Sequence, residues 1–397
     1  MKIGVPKESL PGEQRVALTP ANVVAIKKIS PQIDVLFEQG AGLLAGYPDA
    51  EYEAAGATIS DRATVYSQAN VVLQVQTPGY QHTNAADDLA LLSNGQTLIG
   101  MMDPLANPAF AQQLAEKNIT GLALELVPRI TRAQAMDVLS SMGMLAGYKA
   151  VLMAASESPR MFPMNMTAAG TLSAARVLVM GAGVAGLQAC ATAKRLGAIV
   201  EAYDVRAAAR EQIISVGAKP VELNIDTSSA EGSGGYAQEQ SDEFLAAQRA
   251  AMQEVMATMD VVITTAAIPG AKSPILVTED MVKAMKAGTV IVDLAAERGG
   301  NCELTQQGKT IVAHDVTIIG PENVPSSVAF HASQMFGKNI ENLLKLLIND
   351  HGELHLDFED EIVKETVVSY DGEVPQARLR ERLGLAPLEA KPQEEAQ

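Results

Sequence analysis

The sequence predicts an α/β protein: two doubly wound domains with mostly parallel sheets, joined by two long helices across a cleft. Three observations lead there. Short apolar, β-branched runs alternate with helical patterns through both halves of the chain, as expected of parallel strands covered by helices on both faces. A glycine-rich turn at Gly181–Gly186 joins a strand-like run to a helix-like one. Two long helical patterns, from about Thr131 to Ala155 and from Ser326 to Asp350, flank the half that contains it. The expected boundaries are a first domain over 1–130, completed by about 345–382; a bridging helix over 131–156; a second domain over 157–325; a return helix over 326–350; and a flexible tail over 383–397, rich in Pro, Ala and Glu.

In the first domain, Lys2–Val5 and Ile33–Phe37 read as strands around a helix over Thr19–Lys28. Thr19 is placed to cap that helix, and Pro20 takes its first position, where a missing N–H is harmless. A short helix near Tyr52 follows, then a strand at Asn70–Val75, a helix at Asp87–Leu92, a strand at Gln96–Gly100, a helix at Asn107–Lys117 and a strand at Ile119–Leu126. Met136, Leu139, Met142, Leu145 and Tyr148 recur at helical spacing along the bridging pattern, and the methionines read as core packing. In the second domain strands are expected at Val177–Met180, Ile199–Asp204, Val221–Asn224, Asp260–Ala266, Thr289–Asp293, Thr310–Ala313 and Thr317–Gly320. Helices are expected at Leu187–Leu196, Gln238–Met259 and Thr278–Lys286.

The turn itself reads Gly181-x-Gly183-x-x-Gly186. Gly181 allows a sharp turn, Gly183 lets backbone approach a pyrophosphate, and Gly186 lets helix and strand pack closely; the phosphates would rest on the helix N-terminus. Asp204 closes the next strand, eighteen residues after Gly186. Its carboxylate suits the adenosine ribose hydroxyls and repels a 2′-phosphate, which favours NAD over NADP; Arg206 works against that preference, because an arginine there could accept the 2′-phosphate. Strand, glycines, helix, second strand and acidic residue in this order make a Rossmann-like nucleotide domain the stronger reading than an ordinary Gly-rich turn.

With 397 residues the chain has room for two or three cores. A net charge of −17 disfavours nucleic acid and anionic membrane surfaces as direct partners, though simple solubility explains it equally. Cys190 and Cys302 are the two cysteines, far apart, so neither a disulfide framework nor a metal cluster is expected, and a reducing compartment fits. Met1–Pro6 has no signal-peptide pattern, and no apolar run approaches the roughly 18 residues that span a bilayer, so direct membrane insertion is not expected. His82, His314, His331, His351 and His355 have no metal-ligand spacing. Hydrolysis and phosphoryl transfer lack candidate residues.

Three stretches could carry chemistry. Gln134 and Asp137 share a helix face with Arg129 just ahead, a set able to hold a nicotinamide; equally, Thr131 and Gln134 form a capping box and Asp137 a surface pair with Arg132 or Arg129. The polar loop from Asn224 to Gln238 places Gly232, Gly234, Gly235 and Tyr236 together, suiting a flap over a cofactor or a plain surface loop. Thr264–Gly270 ends a strand at the sheet's carboxyl edge, where Thr265 and Ala266 leave room for a ribose or simply pack.

Taken together, Lys2–Ser9, Glu13–Pro20, Pro128–Asp137, Met180–Gly186, Gly232–Ala237 and Ile291–Ala295 resemble one superfamily, that of alanine dehydrogenase and the NAD(H)-binding alpha subunit of proton-translocating NAD(P)+ transhydrogenase. The resemblance covers nearly the whole chain. The amino-acid dehydrogenases use a lysine and a histidine beside the substrate; the matching stretches here carry Gln76 and, over Leu98–Asp103, no histidine, although Arg15 stands where the carboxylate-binding arginine would. The resemblance therefore implies the transhydrogenase branch, with hydride passing from NAD(H) here to NADP(H) on a partner subunit, carried by a membrane part that translocates protons. It implies that Arg129, Gln134, Asp137 and Tyr236 are catalytic. The cofactor-binding residues are expected to be Arg129, Gln134, Asp137, Ser140, Gly181, Gly183, Val184, Gly186, Asp204, Val205, Arg206, Gly235, Thr265 and Ala266. A homodimer, cytoplasmic and held at the inner membrane through its partner subunits, is the implied assembly.

Overall fold

The protein is described by a computed structural model, which covers residues 1–80, 84–223, 242–268 and 270–388. The chain divides into two compact units: Met1–Leu139 with Ala329–Gln397, and Ser140–Val328.

In unit 1, β1 (Lys2–Val5), β2 (Asp34–Glu38), β3 (Thr58–Ser60), β4 (Val71–Gln76), β5 (Thr97–Met101) and β6 (Thr120–Ala123) form a parallel sheet in the order β3-β2-β1-β4-β5-β6. Every residue of β4 and β5 is buried, as continuous apolar strands covered on both faces must be. The first helix, Pro20–Ile29, begins as expected: the Thr19 N–H donates to Asn22 Oδ1 at 2.9 Å. The late chain completes this unit. Helix Ala329–Leu347 buries Phe336, Ile340, Leu343, Leu344 and Leu347.

Unit 2 opens with an exposed hairpin, β7 (Asn165–Thr167) and β8 (Gly170–Leu172). Its sheet contains β9 (Arg176–Met180), β10 (Ile199–Tyr203), β11 (Lys219–Pro220), β12 (Val261–Thr264), β13 (Val290–Asp293), β14 (Lys309–Ala313) and β15 (Val316–Gly320), in the order β11-β10-β9-β12-β13-β15-β14, with β14 antiparallel. Val177, Val179, Val200, Ile263 and Val292 face one apolar layer with Ala189, Cys190 and Ala193. Leu178, Met180, Val262 and Ile291 face the other with Met252, Met256 and Met281. A third antiparallel connection, β16 (Val367–Ser369) against β6, belongs to unit 1. The predicted doubly wound α/β architecture therefore holds in both units.

Several boundaries differ from expectation. The bridging helix does not start at Thr131: Thr131–Met136 is a 3₁₀ turn, Asp137 is extended, and the α-helix runs Val138–Glu157. The cause is the Ala135 carbonyl, which accepts from Asn339 Nδ2 at 2.9 Å and Asn342 Nδ2 at 3.1 Å and so is taken from the helical ladder. Tyr148, expected on the apolar stripe, is exposed. The return helix begins at Ala329 after a 3₁₀ turn over Val324–Val328 and ends at Leu347. The strand expected at Val221–Asn224 lies earlier, at Lys219–Pro220, with Val221–Leu223 outside any strand. Short elements such as β3, helix Arg62–Gln68, the β7–β8 hairpin and β16 have no readable signal in the sequence. Contrary to the expectation of no membrane-length apolar run, one helix among the described residues, Val138–Glu157, is long and apolar enough by composition to cross a membrane; its Ala150, Val151 and Ala154 are in the unit 2 core.

That helix packs on helix Val184–Arg195 through bare backbone. A Cβ on Gly147 would meet the Ala185 carbonyl oxygen at 2.0 Å, whereas one on Gly143 would meet only the Ala185 nitrogen at 3.9 Å. Gly147→Ala is therefore expected to destabilise the protein by about 1–3 kcal/mol, and Gly143→Ala to be tolerated, as read from thermal unfolding of the two variants.

Candidate nucleotide site

The glycine turn lies where the strand order of unit 2 reverses, between β9 and β12, the point at which doubly wound sheets hold ligands. Each glycine answers to a different constraint. Gly181 has φ +99°, and a Cβ there would meet Thr265 Oγ1 at 2.5 Å. Gly186 could carry no side chain at all, because its Cβ would lie 1.8 Å from the Gly181 oxygen. Gly183 is exposed with open space in front of it and caps the helix without a side-chain hydrogen bond. The helix N-terminus thus offers unpaired N–H groups and the positive end of its dipole to an anion, with no acidic residue in the first turn to compete. These features fit a pyrophosphate. Val184, the first helical residue, is also exposed.

The neighbouring residues are brought to the same edge. Gly181 N–H donates to the Tyr203 carbonyl at 2.8 Å, and Ala182 N–H to Asp204 Oδ2 at 2.7 Å, so the end of β10 is tied directly to the turn. Asp204 also accepts from Arg206 N and Nε, both at 2.9 Å, and from Arg206 Nη2 at 2.8 Å. Val205 packs partly buried against the unit 2 core. On the other side, Thr265 N–H donates to the Met180 carbonyl at 2.9 Å and its hydroxyl to the Gly181 carbonyl at 3.0 Å.

Two residues that sequence reasoning did not assign hold this edge from beneath. Asn301, fully buried, donates to the Ala266 carbonyl at 2.8 Å and accepts from the Ala266 N–H at 3.0 Å. Asp293, also fully buried at the end of β13, accepts from Thr264 Oγ1, Ala295 N, Asn301 N, Cys302 N and Thr305 Oγ1 over 2.7–3.0 Å. Its place at a strand's carboxyl end was the available signal, but a structural aspartate leaves no spacing pattern. Cys190 and Cys302 are both buried free thiols, and burial pushes them up to about 12 and about 11, far from a reactive thiolate.

Arg129 and Gln134 are exposed and Asp137 partly so, all in unit 1. The capping box is absent: Ile130 occupies the cap position of the 3₁₀ turn with no side-chain bond, and Arg132 pairs with Asp360 at 2.6 and 2.7 Å. The turn still places Gln134 and Asp137 one above the other, with Asp137 N–H donating to the Gln134 carbonyl at 3.3 Å. Ser140 belongs to unit 2 and shares the helix face of Gly143 and Gly147. Gly235 and Tyr236 lie outside the described residues.

The carboxyl edge of unit 1 is closed by side chains. Glu8 accepts from Val75 N at 2.6 Å and Gln76 N at 3.1 Å. Arg15, 2% exposed, is locked to Glu13 through Nε at 2.8 Å and Nη2 at 2.6 Å, so its charge is spent within the fold. Gln76 is buried, and its Oε1 has no partner among the described residues.

A doubly wound unit with a three-glycine turn at its strand-order reversal, and an aspartate closing the next strand, defines the class of dinucleotide-binding α/β proteins. Within that class the chain belongs to the alanine dehydrogenase/PNT family, an oxidoreductase family, whose N-terminal domain matches residues 4–146 and C-terminal domain residues 150–377. It is 48% identical over 377 residues to the first of the separate alpha-subunit chains of the NAD(P) transhydrogenase of Rhodospirillum rubrum, covering 94% of this chain and 97% of that one. The alanine dehydrogenase of Bacillus subtilis is 32% identical over 337 residues, covering 83% and 80%. Among solved structures, the transhydrogenase from Sinorhizobium meliloti matches with a TM-score of 0.81 at 42% identity over 95% of this chain and 99% of that one. An L-alanine dehydrogenase, at 23% identity and a TM-score of 0.80 over 97% and 99%, shares the fold.

Two carboxyls at the edge of unit 1 give the protein a pH dependence. Burial pushes Glu8 up to about 8, aided by Glu13 and opposed by the Val75 and Gln76 amides; burial likewise pushes Glu125 up to about 7 against the Asp103 and Met102 amides. Between the ordinary carboxyl value of 4.5 and these raised values the folded chain holds protons that the unfolded chain has released. Stability contributed by these groups therefore falls as pH rises through that window. The thermal midpoint is expected to decline from about pH 5 to about pH 8, and Glu8→Gln, which cannot ionise, to flatten the upper part of the decline.

Proposed function

We propose that this chain is the NAD(H)-binding component of a proton-translocating transhydrogenase, exchanging hydride directly with NADP(H) held by a partner subunit, while a membrane-spanning component couples the exchange to proton movement. The observation that carries the reading is Gln76, buried and amide-bearing at the position where an amino-acid dehydrogenase needs a lysine. Deamination requires proton transfer at the substrate nitrogen; exchange between two nicotinamides requires only alignment, which this chain's residues can supply without an acid–base pair. Likeness over nearly the full length to relatives named as transhydrogenase alpha subunits supports it.

In this reading the bound nucleotide supplies the hydride chemistry and the protein binds and orients. The Gly181–Gly186 turn and Val184 hold the pyrophosphate, Asp204, Val205 and Arg206 the adenosine end, and Thr265, Ala266 and Ser140 the nicotinamide side. Arg129, Gln134 and Asp137 orient the nicotinamide, and Tyr236, with Gly235 as its hinge, closes over it. The component works as a homodimer, cytoplasmic and held at the inner membrane by its partners.

Mixing the purified chain with an NADP(H)-binding partner is expected to give hydride transfer from NADH to an NADP+ analogue; turnover of alanine and pyruvate without such transfer would mean an alanine dehydrogenase instead. Gln134→Ala should slow transfer by at least about tenfold while changing NADH affinity little. Gly183→Ala, which meets no protein atom within 4 Å, should leave the thermal midpoint nearly unchanged yet weaken NADH binding by about tenfold or more, since only the bound pyrophosphate would feel the methyl.

A further inference from the structure

Asp204 is saturated. A carboxylate offers about four acceptor positions. Here Oδ2 accepts from Ala182 N at 2.7 Å and Arg206 Nη2 at 2.8 Å, while Oδ1 accepts from Arg206 N and Nε at 2.9 Å each. The side chains of Asp204 and Arg206 are 6% and 16% exposed. Two of the four donors are backbone amides, one in the glycine turn and one just past β10, and they hold the carboxylate's orientation whatever else is bound. The other two are the fork of a guanidinium, a planar pair of donors spaced to meet both carboxylate oxygens at once. A ribose presents its vicinal hydroxyls as a similar pair. Of the four donors, only the guanidinium's can be exchanged for a ligand without breaking the turn.

We propose that Arg206 is a latch: in the nucleotide-free chain its guanidinium occupies the face of Asp204 that receives the adenosine ribose diol, and its displacement sets both the affinity for NAD(H) and the margin over NADP(H). The proposal rests on the NAD(H) reading of the glycine turn. While latched, Arg206 lowers the fraction of molecules able to accept the diol, and apparent affinity is reduced by that fraction. It also neutralises the charge with which Asp204 repels a 2′-phosphate and keeps a cation beside it, so it narrows the discrimination that the aspartate alone would give. Unit 1 carries the same plan with no glycine turn: Glu38, ending β2, accepts from Lys7 N at 2.8 Å and Arg62 Nη1 at 2.6 Å, and Arg62 is held further by Asp88. That arginine is a structural control.

The test is equilibrium titration of the full chain with NADH, NADPH, 5′-AMP and 2′,3′-dideoxyadenosine 5′-monophosphate, which lacks the diol. Arg206→Met is expected to tighten NADH and 5′-AMP by about tenfold, to leave the dideoxy nucleotide unchanged, and to widen the NADPH-to-NADH ratio of dissociation constants by about tenfold or more. Arg206→Lys, whose ammonium is a single point charge, should fall between, and Arg62→Met should leave all four affinities unchanged. Weaker or unaltered NADH binding in Arg206→Met overturns the latch. Asp204→Asn separates the two levels: if it leaves NADH binding untouched, the nucleotide reading itself fails, whereas a loss there with no gain in Arg206→Met removes only the latch.

Discussion

Unit 2 depends on backbone touching backbone. The Gly181 carbonyl lies so close to Gly186, and the Ala185 carbonyl so close to Gly147, that a methyl group at either glycine would overlap an oxygen. These contacts set how closely helix Val184–Arg195 approaches β9 on one side and helix Val138–Glu157 on the other. From that approach follows the position of the helix N-terminus at the strand-order reversal, and with it the open space in front of Gly183. The anion site is thus a by-product of tight packing around three glycines, maintained by polar clamps: Asp204 on Ala182, Thr265 on Gly181, Asn301 on Ala266.

Unit 1 repeats the strand order without repeating the site. Its first strand runs into Pro6, Lys7 and Glu8 in place of glycines, and the first helix begins only at Pro20. The intervening segment turns back over the sheet edge, where Glu8 sits on the Val75 and Gln76 amides and Arg15 is bound to Glu13. A buried ion pair of this kind stabilises little beyond the cost of desolvating its members, but losing one partner would be severe. What unit 1 offers instead is the turn bearing Gln134 and Asp137, fixed by Asn339 and Asn342 from the late helix.

The alternation of strands and helices was readable because parallel strands buried on both faces become unbroken apolar runs, as in β4, β5 and β9. The short elements were not, since three residues at Thr58–Ser60 or Val367–Ser369 have no periodicity of their own and are strands only because a neighbouring strand supplies the hydrogen bonds. The 3₁₀ turn at Thr131–Met136 escaped for a related reason: the helical pattern there is real, but two asparagines some two hundred residues later capture the carbonyl that would have continued it.

The sequence by itself determined the class of fold, the glycine turn with Asp204 after it, and the absence of an acid–base pair at Gln76, because each depends on residue type at short range. Tertiary structure alone decided that Asp204 is already filled by Arg206, that Arg15 is spent on Glu13, and that Asp293 and Asn301 support the ligand edge. Those are matters of which donor reaches which acceptor. Folding settles that pairing, and the spacing of residues along a chain does not contain it.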